Sequence, residues 1–269
     1  MPAIYSEVSP VWSGDGVDVS LGDGPLVWAH LLFRFGGLFL VAPVFSAAVV
    51  PVRIKAALTL LLTVLLFPHA FAARVPDLAL TPASLSTELV VGMIVGLGAA
   101  VFVGAAEMAG DMVAVQTGLS GASLVDPLTR NQVPVLGQLL GLTALVLILA
   151  TNGHTVMLAV VHQSFEVVPV GATASPEALA TNAIRLGSSL FLLGLRFAAP
   201  VIGALMIGHV ALGVLARTVP QLNVLMLAFP LQIALGLFVM GITLPAFASA
   251  FTVWPDSYAE FMGELLGRL

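Results

Sequence analysis

The sequence predicts an all-α integral membrane protein of six to seven apolar helices arranged as kinked helical hairpins. Three observations lead to that fold class. Of 269 residues, 59% are hydrophobic and only 9% charged, whereas a soluble domain carries about 25% charged residues. The mean hydropathy is +1.09, and apolar runs long enough to cross a bilayer recur along the whole chain. Prolines inside those runs, at Pro43, Pro200 and Pro245, supply kink points.

Residues 1–25 are polar and acidic, with Glu7, Asp15, Asp18 and Asp23 and no Lys or Arg. They lack the basic flank of a secretory signal and read as a short acidic tail. Apolar runs follow at 26–50, 54–73, 89–115, 133–151, 154–169, 184–215 and 222–253, so that 26–253 forms one membrane-embedded domain, with 254–269 as a C-terminal tail. The run at 154–169 is short for a span of about 20 residues and pairs with its predecessor as a hairpin that does not fully cross. The runs at 184–215 and 222–253 exceed a hydrocarbon core of about 30 Å and must tilt, kink or protrude. The longest polar connections, 74–88, 116–132 and 170–183, leave no soluble domain between them; 110–132 is the candidate gate loop and 216–222 a hairpin turn.

Cysteine is absent, which excludes disulfides and thiolate chemistry. With nine basic residues and a net charge of −5 the chain is no nucleic-acid binder. His154 and His162 stand eight residues apart with no acid between them, and His30, His69 and His209 are isolated, so packed histidines are expected rather than metal ligands or any cofactor site. Nothing resembles the serine elbow or zinc helix of an intramembrane enzyme.

The segment from Glu107 to Val135 interrupts this apolar pattern and is the candidate functional site. Glu107 and Asp111 lie four residues apart, on one helical face, where like charges repel. In hydrocarbon each would cost about 2.5 kcal/mol or more, so such acids face a wet cavity or protein. Gly110, Gly118 and Gly121 loosen the backbone around Gln116, Leu119 and Ser120, and Asp126-Pro127 breaks it again before Pro134. A helix end followed by a polar surface loop accounts for the composition; a glycine-bearing loop lining a passage accounts for it more sharply. Asn152-Gly153 before His154 makes a tight helix-to-helix reversal. Arg217, Pro220, Gln221 and Asn223 form a second hairpin turn ahead of Pro230, with Arg217 at a helix C-terminus where a cation suits the dipole. Arg34, Arg185 and Arg196 fall inside or beside apolar runs, and an arginine there demands a carboxylate, carbonyls or water. Arg185 and Arg196, eleven residues apart, share a helix face. Glu107 or Asp111 is the candidate partner of Arg196 within the chain; the alternatives are that Arg196 snorkels or meets another subunit.

Four strings together resemble one family. They are A-G-D-M-V-A-V-Q-T-G-L-S with V-D-P and N-Q-V-P-V-L after it, T-N-G-H with Ser164, Phe165 and Pro169 following, R-x-x-P-Q-L-N with F-P-L, and F-A-A-P at 197–200. Taken in their order along the chain they resemble the FliR family of type III export-gate proteins, whose virulence-system counterpart is SctT. The resemblance covers nearly the whole chain outside the acidic tail and the last fifteen residues. It implies a hetero-oligomeric helical assembly with FliP and FliQ, near FlhB and FlhA, in the bacterial inner membrane at the flagellar basal body, with a central channel for unfolded flagellar subunits. It also implies that the loop mapped onto Gly110–Leu124 helps plug the closed channel, and that the hairpins are raised toward the periplasm and packed on each other. The sequence departs from the family at Gly121, where many relatives carry a bulky aromatic, which assigns part of the seal to other residues. The strings do not separate flagellar from injectisome members; the wording favours flagellar. The competing reading from another class is a secondary transporter or ion channel relaying charge through Glu107, Asp111 and Arg196, against which stands the lack of internal repeats.

Overall fold

A computed structural model describes residues 23–46, 50–119, 135–219 and 224–269. Within them the chain forms nine helices and no strand beyond a single bridge between Arg74 and Val170. The helices are α1 (Gly24–Val41), α2 (Pro43–Ser46), α3 (Val52–Ala72), α4 (Pro82–Gln116), α5 (Val135–Ala150), α6 (Gly153–Val167), α7 (Pro176–Thr218), α8 (Val224–Thr252) and α9 (Trp254–Leu266). Five of them, α1, α3, α4, α7 and α8, are long and apolar enough to cross a membrane. The bent pair α5 and α6, at 69° to each other, makes a sixth span or a re-entrant loop. The chain is a multi-pass membrane protein.

Helix α4 is the central element, packed against α1, α5, α6, α7 and α9. It starts on a capping box, in which the Thr81 hydroxyl accepts from the Ser84 amide and Ser84 answers to the Thr81 amide. At 35 residues it is about 52 Å long, well beyond a hydrocarbon core of about 30 Å. Its glycines set how closely neighbours approach. A Cβ at Gly92 would run into the Arg34 carbonyl, and one at Gly37 of α1 into the Leu89 carbonyl, so α1 and α4 touch backbone to backbone. Small residues at such contacts are how membrane helices associate when lipid gives no hydrophobic drive.

The α5–α6 reversal uses Asn152 in the left-handed region, at φ 57°. Gly153 then opens α6 in a spot walled by Ile148 and Trp254, with no room for a Cβ. Helix α7 begins on the Ser175 side chain, which caps the Ala178 amide, and carries Glu177 in its first turn and Arg217 in its last, both suited to the helix dipole. It runs through Pro200 for 43 residues, and α8 runs through Pro230 and Pro245 for 29.

Three boundaries differ from the sequence expectation. The expected loop 110–132 begins later, because α4 stays helical through Gln116; residues 110–116 keep their backbone bonds because Gly110 packs on α5 instead of bending. The expected tail at 254–269 is instead α9, whose Trp254, Tyr258, Met262, Leu265 and Leu266 are buried in the core. Its amphipathic spacing is masked in the sequence by Glu260 and Glu264 on the outer face. The expected acidic tail 1–25 also ends early, since α1 starts at Gly24, with Pro25 in its first turn and Asp23 bonded to Arg74 at 3.3 Å.

Candidate functional site at the end of the central helix

The last two turns of α4 lie on α5 through an interlock of acids and glycines. A Cβ at Gly110 would stand 2.5 Å from the Leu136 carbonyl oxygen and 2.6 Å from Gly137, so no side chain fits there. In return, Gly137 and Gly141 of α5 leave space for the carboxylates of Asp111 and Glu107. Glu107 stays exposed, and Asp111 is half-buried with its Oδ1 enclosed and bonded to no described residue. Two acids four residues apart thus sit over two glycines four residues apart.

Beyond this seam the helix ends on Thr117. The Thr117 side chain is buried, its hydroxyl donating to the Val113 and Ala114 carbonyls at 2.9 and 3.1 Å. Gly236 of α8 faces its methyl group at a point where a Cβ would collide. Gly118 takes φ 78°, and a Cβ on it would lie 2.9 Å from the Phe229 ring. The chain therefore leaves α4 through a left-handed glycine held under Phe229, the residue before Pro230. Gly118 of the first string and Phe229 of F-P-L, more than a hundred residues apart in the chain, meet here. Gln116 is half-buried and Leu119 exposed. Ser120, Gly121, Asp126, Pro127, Pro134, Pro220, Gln221 and Asn223 lie outside the described residues.

The arginines part company. Arg34 is fully buried and bonded throughout its guanidinium: Nε donates to Glu88 at 2.5 Å, Nη1 to the Ser164 hydroxyl at 3.0 Å, and Nη2 to the Val168 carbonyl at 2.9 Å. The Phe165 ring lies beneath it, 4.4 Å from centroid to Cζ. Glu88 also accepts from the Gly171 amide at 2.9 Å. One buried ion pair thus ties α1, α4, α6 and the 168–171 connection together, and the S-F of the second string is part of its cradle. Arg185 approaches Glu264 of α9 at 3.9 Å. Arg217 is exposed at the end of α7.

The expected pairing of Arg196 with Glu107 or Asp111 does not form. Helix α7 meets α4 at Gly194, which touches Ala105 and Met108, whereas Glu107 and Asp111 project from the α4 face that lies on α5. Arg196 instead lines an open groove beside Phe261. Nor is His69 isolated, since its ring stacks on that of His162 at 4.0 Å. His30 is buried and bonds the Leu26 carbonyl and the Ser84 hydroxyl, and His154 is half-buried beside the Asn152 turn.

Sequence reasoning missed Glu88, Phe229, Gly137 and Gly141. Glu88 stands at the edge of an apolar run and reads as an interfacial acid, with nothing local to link it to Arg34. The glycines did leave a signal, a G-x-x-x-G step inside an apolar run, which favours close helix contact.

The description of bacterial export proteins, family 1, matches residues 26–255. The chain belongs to this family, the FliR family of bacterial export proteins. It is 32% identical over 232 residues to the flagellar biosynthetic protein FliR of Escherichia coli (strain K12), covering 83% of this chain and 87% of the relative. It is 35% identical over 156 residues to FliR of Bacillus subtilis (strain 168), covering 57% and 60%, and 26% identical over 238 residues to FliR of Caulobacter vibrioides, covering 87% and 94%. The turn at Asn152-Gly153 and the Ser164-Phe165 cradle both belong to the second of the four FliR-like strings, and the contact of Gly118 with Phe229 joins the first string to the third.

Proposed function

We propose that this chain is a core component of the flagellar type III protein export gate in the bacterial inner membrane. It would form part of the channel through which unfolded flagellar subunits cross, with the segment after Thr117 helping to close it. The observation that carries the reading is the Gly118–Phe229 contact. A closed pore must block ions yet open wide enough for an extended chain, and a segment hinged on a left-handed glycine can do both by backbone motion. Gly118 supplies the hinge, and Phe229 of α8 gives its closed position a seat. Gly110, by contrast, acts as a packing residue behind the hinge.

FliP and FliQ would complete the channel, with FlhB and FlhA beside it. Membership supports this, and so does the surface of the chain: few residues of α3 and α8 are fully buried, and Val52, Leu65, Met226 and Phe238 are uncovered. Such faces suit lipid or further helices.

The test is Gly118→Val, assayed for subunit export and for ion leak across the membrane, with assembly followed in parallel. A β-branched residue at φ 78° is strained by about 1–3 kcal/mol and displaces the Phe229 ring. Altered export or leak with intact assembly is the expected result. Unchanged export together with unchanged leak would remove the hinge from the account.

A further inference from the structure

Arg196 occupies an unusual place. It lies midway along α7 and lines a groove of about 250 Å³ whose other walls include Phe102 of α4, Leu192 and Leu193 of α7 and Phe261 of α9. Ser189, about two helical turns before it, is the other polar group there. No carboxylate pairs with Arg196 among the described residues: Arg185, on the same face, has Glu264, and Glu107 and Asp111 are turned to α5. The groove has room for a side chain or two from a helix lying alongside, not for a helix.

Its surroundings decide what kind of occupant fits. Exposed apolar side chains extend from Ile184 and Phe191 on one side of Arg196 to Ile207, Val210 and Val214 on the other. Thirty residues of helix measure about 45 Å, more than a hydrocarbon core of about 30 Å. In lipid alone such a helix must tilt, kink or protrude. Were Arg196 held at the level of lipid headgroups, one of the two apolar arms would stand in water. Both arms are buried if a second apolar helix runs along α7, and the guanidinium then requires an anion from that helix.

We propose that the Arg196 groove receives a carboxylate side chain from an otherwise apolar membrane helix of a different chain, which lies along the exposed face of α7. The inference rests on the proposed place in a multi-chain gate and adds to it the chemistry of one contact. A planar guanidinium binds a carboxylate through two parallel hydrogen bonds, which fixes the register of the incoming helix as well as holding it.

The test uses the full chain expressed with its genomic neighbours and carrying a photo-reactive residue at Leu192. Illumination and mass spectrometry of the extracted particle identify what fills the groove. An adduct with an apolar, Asp- or Glu-bearing helix of another chain is expected. An adduct with phospholipid, with a second copy of this chain or within the chain itself overturns the proposal. Arg196→Glu is expected to lower the adduct yield by about tenfold or more, the scale of truncating one partner of a buried charge pair. Arg196→Lys should retain part of it, and reversing the partner's acid to arginine should restore the Arg196→Glu yield. An adduct yield indifferent to Arg196→Glu also overturns it. The groove is read out by cross-linking and the hinge by export and leak, so the two fail separately.

Discussion

The buried pair of Arg34 and Glu88 permits the sharpest energetic prediction. Both side chains are almost wholly enclosed, at 0% and 1% exposure. Glu88→Ala removes the anion and leaves a guanidinium with Ser164, Val168 and the Phe165 ring as its remaining neighbours. Breaking one side of a buried ion pair costs about 3–5 kcal/mol. For a chain of this size that corresponds to a fall of roughly 6–20 °C in the unfolding midpoint. Glu88→Gln keeps an acceptor for Arg34 or for the Gly171 amide but loses the charge, and should cost about 1.5–3 kcal/mol. Replacing both residues together, Arg34→Met with Glu88→Leu, removes both charges at once and should recover most of the loss, because the desolvation of the pair no longer has to be offset. The assay is the thermal midpoint of the purified particle, followed by tryptophan fluorescence, since Trp28 and Trp254 lie on α1 and α9. A shift below about 1 kcal/mol for Glu88→Ala, the range of a surface pair, would refute the node. So would strict additivity of the two single changes in the double variant.

Two further substitutions separate packing from flexibility. Gly110→Ala places a methyl group between the α4 and α5 backbones; it should cost about 1–3 kcal/mol as overpacking and lower the yield of folded chain, whereas normal yield with reduced export would make Gly110 a hinge after all. Asn152→Gly should be neutral in thermal stability, while Asn152→Val should lose about 1–2 kcal/mol, the penalty of a left-handed residue with a branched side chain; equal midpoints for the two would remove the turn's backbone requirement.

Much of the fold is legible in the sequence because membrane helices announce themselves by length and apolarity. The reversal at Asn152 needs only local chemistry, and that chemistry is written in adjacent residues. What is hidden depends on contact between distant segments. Glu88 finds Arg34 across 54 positions and Ser164 joins them from 130 positions further along than Arg34; no spacing rule links such sites. The role of Gly110 illustrates the same limit. Beside Gly118 it looks like a second loosened point, yet only the approach of Leu136 and Gly137 shows it to be a contact surface. Helix α9 was hidden for another reason, since a short amphipathic helix among acidic residues reads as a polar tail until Trp254 and Tyr258 are seen under the core. Tyr258 donates to the Val95 carbonyl at 2.8 Å, and burial raises its phenol well above the usual tyrosine range.

The central claim is that this chain works as one member of a multi-chain export gate, and the mass of the intact particle tests it most directly. The tagged chain is expressed with its genomic neighbours, extracted in mild detergent and weighed whole. A single large complex holding this chain among several copies of other small membrane proteins is the result the account predicts. A monomer or homodimer that stays folded without partners would contradict it and return the chain to the transporter reading, with Glu107, Asp111 and Arg196 as the residues to test.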